Sequence, residues 1–145
     1  MNQLYDTAAR ALALGQLIWP DTELVLVVWG GTPVFDATHT SVAAIRAAAG
    51  VTELGASLPI LERTVAADGT CQTSQVVVEN IPIGSPVTWF TLCKAAAGVG
   101  LYSGAIDTAV PILFVDEASY LPFHPEGVDM IIQPDWAFNR GWFRP

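Results

Sequence analysis

The chain has 145 residues, of which 52% are hydrophobic and only 14% are charged, whereas ordinary soluble domains carry roughly 25% charged residues. Its formal net charge is −8, so it lacks the clustered cations of a nucleic-acid surface. The apolar runs at 24–29 and 95–101 are far shorter than a membrane span of roughly 20 residues, and no basic leader of a signal peptide precedes them. We predict one domain, 1–145, whose excess apolar surface is buried against other chains.

The first third of the chain predicts two helices and one strand. Residues 2–16 are rich in Ala and Leu at helical spacing, and Gly15 can end that helix. The Val-rich run 23–29 predicts a strand. After a loop at 35–40, residues 41–49 predict a second helix with Thr40 or Ser41 as its N-cap and Gly50 as its end. Residues 51–58 predict irregular structure.

The remainder predicts short strands between turns. Residues 60–66 and 71–80 form a hairpin around the Asp68-Gly69 turn, and 87–95 and 101–106 are further strands. Residues 112–115 and 128–132 predict a strand and its return strand, each covered on both faces, while Pro122 and Pro125 keep 121–126 out of the ladder. The predicted fold is mainly β with one or two short helices (α+β): an antiparallel β-sandwich or barrel-like domain with an N-terminal helix.

The C-terminal segment 134–145 concentrates aromatic side chains and two arginines. It is either a clasp over its own sheet, which we favour, or an arm inserted into a neighbour, because aromatic residues and Arg are enriched at interfaces. Together with the loop at 35–40, this segment supplies the predicted interface residues, which are Phe35, His39, Trp136, Phe138, Trp142, Phe143 and Arg144.

Cys71 and Cys93 permit one disulfide, but we favour free buried thiols. Five acidic or imidazole side chains lie near the predicted strands 112–115 and 128–132: Asp116, Glu117, His124, Glu126 and Asp129. They lack the regular spacing of a calcium loop, and solvated loop positions are the simpler interpretation. We therefore predict no metal and no cofactor.

Two groups of residues raise the question of catalysis or of sugar binding. Asp36, His39 and Ser41 provide an acid, a base and a nucleophile, but such triads are assembled from distant segments, and a loop hydrogen bond and a helix cap explain these residues better. We predict that the protein is not an enzyme. Trp29, Trp89 and the C-terminal aromatic residues could stack on sugar rings, although aromatic residues inside strands more often belong to the core.

The order of motifs resembles a group of short tailed-bacteriophage virion proteins. The motifs are the helix ending near Gly15, DTELVLV at 21–27, FDATH at 35–39, the Asp68-Gly69 turn, LPF at 121–123, GVDMII at 127–132 and GWFR at 141–144. The resemblance implies a non-enzymatic structural protein of the particle and carries over no catalytic residue.

These observations predict a virion protein that is assembled in the host cytoplasm. The hypothesis is a capsid decoration or cement protein that forms a homo-oligomer, as a trimer, and bridges neighbouring copies of the major capsid protein. The alternatives are a tail, neck or fibre component, which would contact other virion proteins, and, in a different class, a carbohydrate-binding β-sandwich.

Overall fold

The computed structural model describes residues 3–58, 60, 62–95, 105–117, 121–127, 129–132 and 142. The helices are α1 (Asp6–Ala13) and α2 (Val42–Arg46), and short 3-10 turns lie at Trp19–Asp21 and Ala105–Thr108. The strands are β1 (Gln3–Leu4), β2 (Leu24–Gly31), β3 (Val51–Ala56), β4 (Arg63–Val65), β5 (Cys71–Thr73), β6 (Val76–Val78), β7 (Trp89–Lys94), β8 (Val110–Val115) and β9 (Met130–Ile132).

Five of these strands form an antiparallel sheet in the order β1-β8-β7-β2-β3. Two smaller antiparallel pairs, β4–β5 and β6–β9, complete the strand pairing. The fold is therefore mainly β with two short helices, as the sequence predicts. The described strands do not close into a barrel.

The five-stranded sheet is buried on both of its faces. Along β2, side chains alternate between two hydrophobic clusters: Leu24, Leu26 and Val28 belong to one, and Val25, Val27 and Trp29 to the other. Alternation with both faces apolar explains why β2 reads as a continuous hydrophobic run. A single chain therefore buries much of the apolar surface that, from composition, we expected to be buried against other chains.

Different layers cover the two faces. The first face packs against α1, the two strand pairs and Trp142. The second face packs against α2 and the loop that carries Phe35. A row of aromatic rings runs across this second face with centroid separations of 5.1–5.3 Å, in the order Tyr5, Phe35, Phe114, Trp89 and Trp29.

The two helices are shorter than the sequence predicts. Helix α1 begins at Asp6 rather than at residue 2, because Gln3 and Leu4 pair with β8. It ends before Gly15, whose φ of 67° lies in the left-handed region that ends many helices. Helix α2 covers only 42–46, but its cap is as predicted, since the Ser41 Oγ accepts a hydrogen bond from the Ala44 amide at 3.2 Å.

An ionic contact joins α2 to the rest of the second layer. The guanidinium of Arg46 binds the carboxylates of Glu53 on β3 and of Asp107 in the second 3-10 turn. Both carboxylates raise the pKa of Arg46, and the hydrogen bond that Arg46 donates to Glu53 has the larger effect. Because these groups are partly exposed, the contact fixes the position of α2 more than it stabilises the chain.

Two predictions in the middle of the chain are wrong and one is confirmed. Residues 51–56 are not irregular but form β3, which pairs with β2 through a register shift at Val28/Trp29. The predicted strand 71–80 is divided between β5 and β6, which belong to different pairs. The hairpin around Asp68-Gly69 is confirmed by β4–β5 pairing, and Asp68 Oδ1 accepts hydrogen bonds from the Thr70 amide and hydroxyl.

The predicted partner of the return strand is also wrong. Strand β8 lies in the five-stranded sheet with both faces covered, but β9 pairs with β6 in a separate pair, and Ile131 is exposed. Phe123 is not wholly outside the strand ladders, because it exchanges two backbone hydrogen bonds with Val87. Ile106 lies in a 3-10 turn rather than a strand, while 101–104 lie outside the described residues.

No helix in the described parts of the chain is long and apolar enough to cross a membrane.

Candidate interaction surface

Of the seven predicted interface residues, the structure describes Phe35, His39 and Trp142. Phe35 is half-buried, and its ring lies 5.1 Å from the Tyr5 ring and 5.2 Å from the Phe114 ring. His39 is half-buried as well, and its Nδ1 is shielded from solvent without a hydrogen-bond partner. Trp136, Phe138, Phe143 and Arg144 lie outside the described residues.

Trp142 packs into its own chain. Its side chain is 3% exposed, and its ring meets the Phe90 ring edge-on at 6.2 Å. Its backbone amide donates to the Cys71 carbonyl at 2.8 Å, and its indole N–H donates to Thr73 Oγ1 at 2.8 Å. Trp142 therefore presents almost no surface to a partner. Its hydrogen bonds hold it against β5.

The residues of the FDATHTS motif have local structural roles. Asp36 Oδ1 accepts hydrogen bonds from the Thr38 amide at 2.9 Å and the Thr38 hydroxyl at 2.6 Å, and these bonds lower the pKa of Asp36. His39 Nε2 is 3.9 Å from the nearer Asp36 oxygen, which is too long for a hydrogen bond. The Ser41 hydroxyl caps α2. This arrangement is an Asx-type loop followed by a helix cap.

The strand tryptophans cannot act as sugar platforms. Trp29 and Trp89 are fully buried and stack on each other at 5.3 Å. The Trp29 indole N–H donates to the Thr91 hydroxyl at 3.0 Å inside the core. A carbohydrate-binding site would have to rely on the other aromatic residues.

Among the described residues, no three His, Cys, Asp or Glu side chains come close enough together to hold a metal ion. Both cysteines are free thiols, as the sequence favours, and both are buried. Burial raises the pKa of Cys71 to about 11, and it raises the pKa of Cys93 further because that thiol is fully enclosed.

These buried thiols are expected to react slowly. Thiol reagents attack the thiolate, and at pH 8 a thiol whose pKa is about 11 is almost entirely protonated. We expect fewer than one thiol per chain to react with Ellman's reagent within minutes in the native protein, and two after unfolding in guanidinium chloride. Rapid reaction of a native thiol, or none after unfolding, would contradict the buried, unpaired state.

Apolar side chains around β9 form what we name the β9 surface, which consists of half-buried Val77 and exposed Ile83 and Ile131. Val77 and Ile131 are cross-strand partners on the outer side of β6–β9, whereas Val76, Val78, Met130 and Ile132 point into the core. Ile131 is 54% exposed, and Ile83, at 73%, is more exposed than any other large apolar side chain in the described residues. Ile83 also lines a cleft of about 260 Å³ with Asn80, Ile81, Gly127 and Asp129.

The backbone of Ile131 faces away from β6. The Val77 carbonyl accepts a hydrogen bond from Leu58, on the side of β6 opposite β9. Val77 and Ile131 therefore form a non-hydrogen-bonded pair of the antiparallel ladder, in which backbone polar groups point outward. Within the part of the chain that the structure describes, nothing pairs with this outer edge of β9, so it can accept a further strand.

Acidic residues border the β9 surface. One step beyond the Val78–Met130 pair in this register stand Glu79 and Asp129, both exposed. Because side chains two apart share a face of a strand, Glu79 lies on the side of Val77 and Asp129 on the side of Ile131. Exposed Glu126 follows in the preceding loop. The surface thus combines an apolar centre with a negative border.

Sequence reasoning missed this surface because its signal is weak. The run GVDMII reads as a continuously apolar strand, which is typical of burial on both faces. Only Asp129, two residues before Ile131, indicates that alternate positions face solvent.

In comparisons with known proteins, no family model, no curated protein and no solved structure matches the chain.

Proposed function

We propose that the protein is a non-enzymatic structural component of a tailed-phage virion, a decoration or cement protein that forms a homo-oligomer, as a trimer, and bridges neighbouring capsid subunits. The virion context rests on the resemblance of the motif order. The observation that carries the assembly role is the β9 surface, where an open strand edge lies beside exposed Ile83 and Ile131.

The charge of the β9 surface favours the capsid subunit over another copy of this chain as its partner. Glu79, Glu126 and Asp129 border the apolar centre, and each copy carries a net charge of −8. Two such surfaces would repel each other, whereas a partner strand with apolar side chains and flanking Lys or Arg would satisfy both charge and backbone. The trimer contact then uses a different part of the chain.

Replacing an exposed isoleucine tests the proposal without disturbing the core. Burial of one Ile side chain contributes about 1.5–3 kcal/mol, so Ile131→Ser is expected to weaken capsid binding roughly 10- to 100-fold. Binding is measured by co-sedimentation with expanded capsids across a concentration series. Light scattering after size-exclusion chromatography gives the oligomeric state of each variant.

Leu14→Ser is the matched control, because Leu14 is 57% exposed and follows α1, which packs on β8 and is not part of the β6–β9 pair. It should bind capsids as the wild type does. A wild-type protein that is monomeric at micromolar concentration and does not sediment with capsids would overturn the proposal. Equal binding by Ile131→Ser and the wild type would remove the β9 surface from it.

A further inference from the structure

A cavity of about 240 Å³ lies between α1 and the end of the central sheet where β7 and β8 pair. It lies on neither the β9 surface nor any segment with a proposed role. Its lining comes from α1, from the segment between α1 and the first 3-10 turn, from the end of the second 3-10 turn, from the end of β7 with the residue after it, and from β8; these residues are Thr7, Ala8, Ala11, Leu17, Lys94, Ala95, Thr108, Val110 and Ile112.

The interior wall of the cavity is apolar. Ala8, Leu17, Ala95 and Ile112 are all buried, and each contributes only carbon atoms from its side chain. The small side chains of α1 create the space, since Ala8 and Ala11 stand where a helix facing a sheet ordinarily places larger residues. Apolar walls of this kind favour apolar groups, and an enclosed apolar cavity of about 150 Å³ accepts benzene.

The mouth of the cavity is polar and cationic. Lys94 and Thr108 are exposed, in contrast to the buried wall. Lys94 is the only lysine in the chain, and its ammonium group makes no ion pair or hydrogen bond with any described residue. The hydroxyl oxygen of Thr7 is shielded from solvent and so does not face the open volume of the cavity.

We propose that this cavity binds a medium-chain aliphatic carboxylate, with the alkyl chain against Ala11, Leu17 and Ile112 and the carboxylate at Lys94. The charge at the mouth decides the class of ligand, because an unpaired ammonium beside an apolar interior complements an anionic head on an apolar tail. The volume limits its size: the cavity exceeds that of a benzene site but lies below the roughly 300 Å³ at which drug-sized sites begin.

Titration of the full 145-residue protein with octanoate tests the proposal by calorimetry. We expect saturable one-site binding, at least fivefold weaker binding of 1-octanol, which has the tail without the charge, and no binding of acetate, which has the charge without the tail. Lys94 can be followed directly by ¹³C-methylation of its amine, whose NMR signal should shift with octanoate and not with acetate. Absence of saturable binding, or equal affinity for octanoate and octanol, would overturn the proposal.

Two substitutions locate the ligand. Ala11→Phe fills the cavity and should abolish octanoate binding, while Ala13→Phe, the same change at an exposed position of α1, should leave it unchanged. If Ala11→Phe lowers the melting temperature, Ala11→Leu fills less space and is measured instead. Lys94→Gln should weaken octanoate about fivefold and leave octanol unaffected. Full octanoate binding by a folded Ala11→Phe or Ala11→Leu variant would show that octanoate binds outside this cavity and would overturn the proposal.

Discussion

Trp142→Ala is expected to lower the free energy of unfolding by about 3–5 kcal/mol, the range for removing a large buried aromatic side chain. The substitution empties the space beside Phe90 and leaves Thr73 Oγ1 without the indole N–H that donates to it at 2.8 Å. For a chain of this length, a loss of that size lowers the melting temperature by roughly 10 °C. Urea denaturation followed by tryptophan fluorescence measures the free energy of unfolding, and thermal unfolding followed by circular dichroism measures the melting temperature.

Two further variants separate the contributions of ring and hydrogen bond. Trp142→Phe keeps most of the packing and loses the hydrogen bond, and Thr73→Val removes the acceptor together with the bond that the Thr73 hydroxyl donates to the Ser74 carbonyl. Each should cost about 1–2 kcal/mol, well below the alanine variant. A loss under 1 kcal/mol in Trp142→Ala would mean that the segment does not pack on its own sheet in solution, which is the behaviour expected of an arm.

Gly31→Ala is expected to be the most damaging single-methyl change in the central sheet. Gly31 ends β2 with φ of 78°, a conformation that costs an L-residue about 1–2 kcal/mol. A Cβ at this position would also lie 2.5 Å from the carbonyl oxygen of Gly50, which is backbone and cannot rotate away. With the displacement that this contact forces on β3, the total loss should reach about 2–5 kcal/mol.

Gly50→Ala is the matched control for this prediction. Gly50 has nearly the same φ, 79°, but a Cβ there meets nothing within 4 Å. Only the backbone term then remains, so the loss should be about 1–2 kcal/mol. Denaturant titration of both variants gives the comparison, and equal losses would show that the close approach of the two backbones relaxes at little cost.

Local signals in the sequence predicted the elements that local interactions determine. The Val-rich composition of β2, the Asp68-Gly69 turn and the Ser41 cap each depend on residues within a few positions of one another. The free thiols followed from their place within apolar runs. For these features, neighbouring residues contain the physical cause.

Features that depend on distant partners were not predictable in this way. Residues 51–56 form a strand because β2 provides an edge with which they can pair. Their own composition, which includes Gly55, is not the cause. Strands β8 and β9 look like a strand and its return in sequence, but each finds its partner elsewhere. The β9 surface was not predictable for the same reason. The exposure of Ile131 depends on the pairing of β9 with β6 and not on the residues next to Ile131 in the sequence.

The pairing of β1 with β8 has a consequence for how the chain is made. Gln3 is aligned with Phe114, more than one hundred residues later, and the Trp142 amide donates to the carbonyl of the distant Cys71. A nascent chain cannot complete the central sheet while its last third is still inside the ribosome. Contacts so distant in sequence also slow refolding, because a long loop must close before they form. Strands β2 and β3 can pair once residue 56 has emerged, whereas the edge of β2 that pairs with β7 stays open until residues 89–94 follow.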